Sequence, residues 1–255
     1  MRIKLDKKLV SSRFARSLQT YDDNALVQRA MAEELVSAMR DTVGTNFERI
    51  FEVGCGTGML TRYIAKEFTY EKLIVNDLVP EYMVPIMEMT VCDFMAGDVE
   101  TLPGMPRELD LIISNATFQW MENMERVLRR LAEKLKVGGI IAFSTFGPDN
   151  VKEIGELLGI KLRYLTPDEI RQALGYCYEE LYFSEQRCVL KFPDSLMLLK
   201  HLQKTGVTGI RKEVWTRAGM QKFMEDYTAR FGDESGVSLT YHPIVVIARK
   251  MKRNE

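Results

Sequence analysis

The stretch RIFEVGCGTGMLTRYIAKEF, Arg49 to Phe68, constrains this chain more than any other, because a short apolar run enters a glycine-rich turn that opens directly into an amphipathic helix. Ile50, Phe51 and Val53 read as a buried strand. Gly54, Gly56 and Gly58 read as the turn, and Met59, Leu60, Tyr63, Ile64 and Phe68 as one apolar face of the helix. Glycine is needed where the backbone takes positive φ or where a ligand lies against the main chain, and a helix N-terminus presents unpaired N–H groups. The pattern predicts a ligand-binding turn at the carboxyl end of a strand. A dinucleotide fingerprint, G-x-G-x-x-G, would need glycine at position 59, and the chain has Met59 there. Glu52 stands inside the apolar run, where a carboxylate without a partner is costly.

LIVND, Leu73 to Asp77, is a second apolar run that ends in a carboxylate, about 20 residues past the turn, where doubly wound folds hold ribose hydroxyls. Alone, Asp77 also fits a helix N-cap or a turn residue ahead of Pro80. GDVETLP, Gly97 to Pro103, and LDLIISNATFQW, Leu109 to Trp120, follow in order. With the E-x-G-x-G-x-G run, these elements resemble the class I S-adenosylmethionine-dependent methyltransferases. The resemblance implies S-adenosyl-L-methionine as cofactor and S-adenosyl-L-homocysteine as product. It implies a binding set of Glu52, Gly54, Cys55, Gly56, Thr57, Gly58, Asp77, Leu78, Asp98, Val99 and Asn115. Within it, Glu52 helps hold the methionine end and Asp77 the ribose. Asp98 meets the adenine amino group, and the Val99 N–H meets a ring nitrogen.

The order of elements predicts an α/β fold with a doubly wound, mainly parallel seven-stranded sheet and helical caps. Strands are expected at 49–53, 73–77, 90–94, 109–114 and 139–146, alternating with helices, the last of which ends at Gly138 and Gly139. Beyond Phe146 two capped helices are expected, with Asp149 or Asn150 and Thr166 as N-caps, then a strand-rich stretch, a helix beginning at Asp194 and a longer helix. A single terminal strand is read over 237–250. Near the start, Phe14, Leu18 and Tyr21 precede a helix capped by Asp22 or Asp23. One domain is expected over 1–255, divided into N-terminal cap helices at 1–45, a cofactor-binding half at 46–147, cap insertions and the sixth strand at 148–236, and the terminal strand and tail at 237–255.

A 255-residue chain with 46% hydrophobic residues can bury a sizeable core, and 35 basic against 36 acidic residues argue against a dedicated nucleic-acid binder. No apolar run approaches a membrane span and the N-terminus lacks a hydrophobic signal core, so a cytoplasmic protein with no membrane partner is expected. The four cysteines show no C-x-x-C pairing, and Cys55 belongs with the turn rather than with nucleophilic chemistry. His201 and His242, the only histidines, lack metal-ligand spacing, so no catalytic metal is expected.

The run from Phe14 to Gln28, SNATFQW from Ser114, STFGPDNVKEI from Ser144, HLQKTGVTG from His201 and SLTYHPIVVIARK from Ser238 together resemble the malonyl-[acyl-carrier-protein] O-methyltransferase family of biotin synthesis. Asn76, His242 and Pro243 depart from its pattern. The resemblance implies methyl esterification of the free carboxylate of a malonyl thioester, carried by acyl-carrier protein or coenzyme A. A carboxylate is ionised near neutral pH, so such a reaction needs no general base, and no catalytic residue stands out. Tyr21 and Gln119 are positioning candidates. Tyr21, Gln119, Trp120, Phe146, His201 and Arg211 are candidates for holding the acceptor. Basic clusters at Lys4, Lys7, Lys8, Arg13 and Arg16, and at Lys200, Lys204, Arg211 and Lys212, are the candidate rim for an acidic carrier, while Arg126, Arg129, Arg130, Lys134 and Lys136 read as a solvated face. Two alternatives remain at this stage. One is another small-molecule methyltransferase, acting on a trans-aconitate-like acid or a quinone-type carbon; the other is a non-catalytic assembly factor of the same fold.

Overall fold

The computed structural model describes residues 6–159, 164–205 and 216–252. Three N-terminal helices, α1 (Lys7–Ser17), α2 (Tyr21–Asn24) and α3 (Leu26–Thr42), precede an alternation of strands and helices. These are β1 (Asn46–Val53), α4 (Met59–Glu67), β2 (Thr69–Asp77), α5 (Met83–Met89), β3 (Asp93–Ala96), β4 (Leu109–Ser114), α6 (Met124–Ala132) and β5 (Leu135–Phe146). There follow α7 (Lys152–Leu158), α8 (Pro167–Leu174), β6 (Tyr178–Glu185), β7 (Cys188–Phe192), α9 (Ser195–Lys204), α10 (Arg217–Phe231), β8 (Gly232–Asp233), β9 (Gly236–Tyr241) and β10 (Pro243–Lys250).

The expected seven-stranded sheet is present, in the order β3-β2-β1-β4-β5-β10-β6. The strands from β3 to β5 are parallel, and β10 is antiparallel to both β5 and β6. Successive residues of a strand point to opposite faces, and both faces here are covered by helices. Phe51 and Ile112 therefore pack with α6 and α8, while Ile50, Leu111 and Ile113 pack with α3 and α4. A third apolar cluster joins Val27 and Met31 of α3 to Phe146, Leu198, Phe223, Tyr227 and Tyr241.

Several boundaries differ from the sequence reading. β3 starts at Asp93 rather than at 90, and β5 starts at Leu135 and runs through Gly138 and Gly139, with α6 ending at Ala132. The register shift between Leu109 and Leu111 absorbs the glycines, so they bend a strand instead of stopping a helix. The terminal segment is two strands in two sheets: β9 pairs with β7 and β8, and β10 with β5 and β6. The switch falls at His242, one of the departures noted above. Its Nδ1 accepts from the Asp149 N–H at 3.1 Å and its Nε2 lies 2.9 Å from Glu185, while Pro243, which has no N–H to donate, opens β10.

Capping shows the same divergence. Thr166 caps α8 as read, through a full capping box with Glu169, and Asp194, read as the start of α9, is its N-cap. Asp149 and Asn150 do not cap α7; Asp149 pairs with Arg187 and Asn150 with the Tyr164 hydroxyl, and the N-cap is Val151 at φ 47. Asp22 and Asp23 do not cap the long N-terminal helix, because the chain bends at Ala25 into the separate short α2.

The cap is fastened to the small sheet by Glu153 of α7. Its buried carboxylate accepts from both the Thr240 N–H, at 3.1 Å, and the Thr240 hydroxyl. Replacing Glu153 with Ala leaves two buried donors unpaired and should cost about 2–4 kcal/mol in urea denaturation. A loss below about 0.5 kcal/mol would contradict this fastening role.

Candidate active site

Parallel strands bring their carboxyl ends to one side of the sheet, and there the structure forms a cavity of about 120 Å³. Its wall follows the strand order. Gly97, Asp98 and Val99 come after β3, Asn76, Asp77 and Leu78 end β2, Gly54, Cys55, Gly56 and Thr57 follow β1, and Asn115, Ala116 and Thr117 follow β4. Tyr21 and Trp120 line the same cavity, with Lys7, Val10 and Phe14 of α1 lying across it.

The turn after β1 is built as its glycines require. Gly54 has φ 70, and a Cβ on it would sit 2.3 Å from Thr117 Oγ1. Gly56 has φ 52 and nothing within 4 Å of a built Cβ, so its bare main chain borders open space in the cavity. Asp77 organises this turn. One carboxylate oxygen accepts from the Gly56 N–H and the other from the Val79 N–H, each at 2.8 Å. Asp77 is therefore the turn residue ahead of Pro80 and not a helix N-cap, which is Val79, and the same side chain lines the cavity. Burial raises its pKa to about 6, against the opposing effect of its N–H donors.

Glu52 and Gly58, both read as ligand residues, do not line the cavity. Gly58 packs against Ile86 and Met89 of α5 at φ 84. Glu52 lies beneath the turn, with one oxygen accepting from the Thr61 hydroxyl at 2.7 Å and the other buried without a hydrogen-bond partner. Burial pushes its pKa up to about 8. Asp98 lines the cavity, but its Oδ1 accepts from the Glu100 N–H at 3.0 Å and its Oδ2 pairs with Lys7 at 2.6 Å. Lys7 is therefore part of this wall and not of a basic rim.

The acceptor candidates separate into three places. Tyr21 and Trp120 face the main cavity, joined by Phe14, whose ring lies 6.3 Å from Tyr21 and 5.5 Å from Trp120, edge-on to both. Burial and the carboxylates of Asp22 and Asp77 raise the Tyr21 phenol far above its usual range, so it is a neutral hydrogen-bonding group. Gln119 and Phe146 line a second cavity of about 230 Å³ with Thr145, Tyr164 and Gln172; Met121 lines both cavities. The Gln119 amide donates to the Ala116 carbonyl at 2.5 Å. His201 lines neither cavity. Its Nε2 is 2.8 Å from the Tyr241 hydroxyl, its ring packs on Phe192, and burial lowers its pKa. Arg211 lies outside the described residues.

Three residues shape the site without having been read as doing so. Asp22 accepts from the Thr57 hydroxyl and pairs with Arg62, which holds α2 on the glycine turn. Asn76 donates to the carbonyls of Met95, at 2.8 Å, and Gly97, at 2.9 Å, and so joins β2 to the 97–99 loop. Arg130, read as solvated, donates to the carbonyls of Val99, Glu100 and Leu102. Among the described residues, no group of three or more His, Cys, Asp or Glu could hold a metal, and no helix is long and apolar enough to cross a membrane.

A glycine turn after β1, a carboxylate ending β2, a polar loop after β3 and a β5-β10-β6 edge define a class I methyltransferase. Residues 51–143 match the family model described as a methyltransferase domain. Among solved structures, the chain superposes on the N-methyltransferase NodS of Bradyrhizobium japonicum, in complex with S-adenosyl-L-homocysteine, with a TM-score of 0.56 at 13% identity over 95% of this chain and 99% of that one. It also matches the YcgJ protein of Bacillus subtilis, with a TM-score of 0.60 at 13% identity over 87% of this chain and 100% of that one. Those likenesses establish the fold. Similarity along the whole sequence is more specific: the chain is 39% identical to the malonyl-[acyl-carrier protein] O-methyltransferase of Chlorobium luteolum, covering 96% of each chain. It is 35% identical to those of Bacteroides thetaiotaomicron, over 97% of this chain and 100% of the relative, and Haemophilus ducreyi, over 97% and 98%. The chain belongs to the malonyl-[acyl-carrier protein] O-methyltransferase family.

The two raised carboxylates give a pH test. Glu52 and Asp77 hold protons in the folded state that the unfolded chain releases above about pH 4.5 and 3.8, so the folded state is favoured at low pH and loses stability as pH rises to about 8 and 6. Glu52→Gln keeps a partner for Thr61 and carries no charge. In ligand-free protein it should flatten the fall in stability between about pH 4.5 and 8, measured by urea denaturation. Parallel pH profiles for the variant and the wild type would refute the assigned shift.

Proposed function

We propose that the protein transfers a methyl group from S-adenosyl-L-methionine to the free carboxylate of a malonyl thioester on acyl-carrier protein, giving the methyl ester that begins biotin synthesis. The observation that carries this reading is the single cavity in which the glycine turn, Asp77 and Asp98 meet Tyr21 and Trp120. Full-length similarity to malonyl-[acyl-carrier protein] O-methyltransferases supports it, and neither the aconitate- or quinone-type alternative nor the assembly-factor alternative draws support from those relatives.

The residues present fit the cofactor. The bare main chain of Gly56 leaves room for a ligand, and the unpartnered oxygen of buried Glu52, protonated at neutral pH in the ligand-free fold, would be drawn into its charged form by a cationic group bound nearby. Asp77 would hold the ribose hydroxyls. Asp98 and the Val99 N–H would hold the adenine, with Lys7 sharing or releasing Asp98, while Cys55, Thr57, Leu78 and Asn115 complete the wall. When bound, S-adenosylmethionine supplies an electrophilic methyl on sulfur and leaves as S-adenosylhomocysteine.

The protein's own part is positioning and exclusion of water. The Phe14, Tyr21 and Trp120 rings form an apolar wall around the acceptor end, and the neutral Tyr21 hydroxyl can orient a carboxylate without protonating it. The acceptor is already ionised at neutral pH, so no group has to remove a proton, in keeping with His201 being engaged by Tyr241 away from both cavities. The second cavity, which meets the first at Met121, leaves a side on which Gln119 and Phe146 can contact the rest of the acceptor.

Incubation with S-adenosylmethionine and malonyl-acyl-carrier protein should give a product heavier by one methylene, which alkaline hydrolysis converts to methanol. With saturating cofactor, kcat should stay flat through neutral pH, and a sigmoidal rise there would indicate a general base. Asp77→Ala should weaken cofactor binding in calorimetry by about 1.5–3 kcal/mol, roughly 10- to 100-fold. Tyr21→Phe should raise the acceptor KM or lower kcat with cofactor affinity nearly intact; unchanged kinetics would remove Tyr21 from the acceptor site.

A further inference from the structure

The sheet order β3-β2-β1-β4 places the Asn115–Thr117 turn at the opposite end of the cavity from Asp98. That turn carries strain. Ala116 has φ 49, a left-handed conformation that a residue bearing a Cβ resists, and Ala116 itself lines the cavity. Something outside the turn must hold it there.

The polar groups around Ala116 converge on Ser144 of β5. The Ala116 N–H lies 3.0 Å from Ser144 Oγ and 3.1 Å from the Ser144 carbonyl. Ser144 Oγ in turn donates to Asn115 Oδ1 at 2.5 Å. The rest of the turn is closed from other directions: Asn115 Nδ2 donates to the Gln28 carbonyl at 3.0 Å, and Gln119 Nε2 to the Ala116 carbonyl at 2.5 Å. The strand register explains the reach. Ser114 pairs with Phe143, so Ser144 is the next residue of β5 and stands beside the turn just where β4 ends. Ser144 is fully buried and does not line the cavity.

We infer that Ser144 is a positioning residue, whose hydroxyl holds Ala116 left-handed and thereby sets the Asn115–Ala116 main chain against the part of the cofactor that is not its nucleoside. This rests on the cofactor reading above. A serine that only filled space in β5 would have no reason to use both its donor and its acceptor on the one strained turn of the cavity wall. The hydroxyl joins the strain to the ligand site through two adjacent residues.

Calorimetry with two ligands, S-adenosylhomocysteine and adenosine, tests the inference. Ser144→Ala should weaken S-adenosylhomocysteine binding by about ten-fold or more, the scale of one or two lost hydrogen bonds, and change adenosine binding by less than about two-fold. Adding Ala116→Gly to Ser144→Ala should restore most of the lost affinity, because glycine takes positive φ without a steric cost. Ala116→Val with Ser144 intact should reproduce the selective loss, which keeps the test available if Ser144→Ala does not fold. Wild-type-like S-adenosylhomocysteine affinity in Ser144→Ala, an equal loss for both ligands, or no rescue by glycine would each overturn the role of Ser144 and leave the cofactor reading standing. A wild-type protein that binds neither ligand would overturn that reading, and this inference with it.

Discussion

The hydrogen bond from the Gly56 N–H to the Asp77 carboxylate joins the ends of two neighbouring parallel strands, and the rest of the site is arranged around it. A buried carboxylate without donors would be unstable, and the N–H groups of Gly56 and Val79 supply them. The same two bonds fix the turn after β1 and the start of the loop after β2. Asn76, one residue earlier, does the equivalent on the other side by holding the carbonyls of Met95 and Gly97. Two adjacent residues of β2 therefore set the spacing among three strand ends before any ligand is bound. Such preorganisation spares the fixed groups any reorganisation at the moment a ligand binds.

The N-terminal helices close over this frame by two kinds of contact. Ion pairs from Lys7 to Asp98 and Glu100, and from Asp22 to Arg62, are partly exposed, and contacts of that kind contribute little net stability. The apolar contacts of Phe14, Tyr21 and Trp120 are the firmer part of the closure, aided by the Tyr82 hydroxyl donating to the Phe14 carbonyl at 3.0 Å. A cap held by aromatic packing, with exchangeable ions at its edge, suits a reaction that must admit two substrates and then exclude water. The ion pairs set where the helices rest, and the rings set the apolar wall of the cavity beneath them.

Much of the architecture could be read from the chain because each strand of a doubly wound sheet carries its own local signal. The runs ending at Val53, Asp77 and Ser114 are apolar, bounded by turns and buried, and they end where the structure ends them. The reading failed where one signal has two meanings. Gly138 and Gly139 suit a helix stop and a strand bend equally, and the alternation from Val237 to Lys250 does not reveal that His242 divides it between two sheets. Asp22 looked like a helix cap because its true partners, Thr57 and Arg62, are 35 and 40 residues away.

The sequence by itself determined the strand-turn-helix unit, the glycines of the turn and the carboxylate at the end of β2, and the family, since each depends on residue type at short spacing. Tertiary structure decided which of the named residues meet. Tyr21 and Trp120 joined the turn in one cavity; Gln119 and Phe146 went to a second, Glu52 went beneath the floor, and His201 went to Tyr241. It also recruited Lys7, Arg130 and Ser144, whose types and neighbours in the chain announce nothing. The reason is physical: spacing along a strand or helix fixes which way a side chain points, whereas its partner is chosen by the packing of elements far apart in the chain.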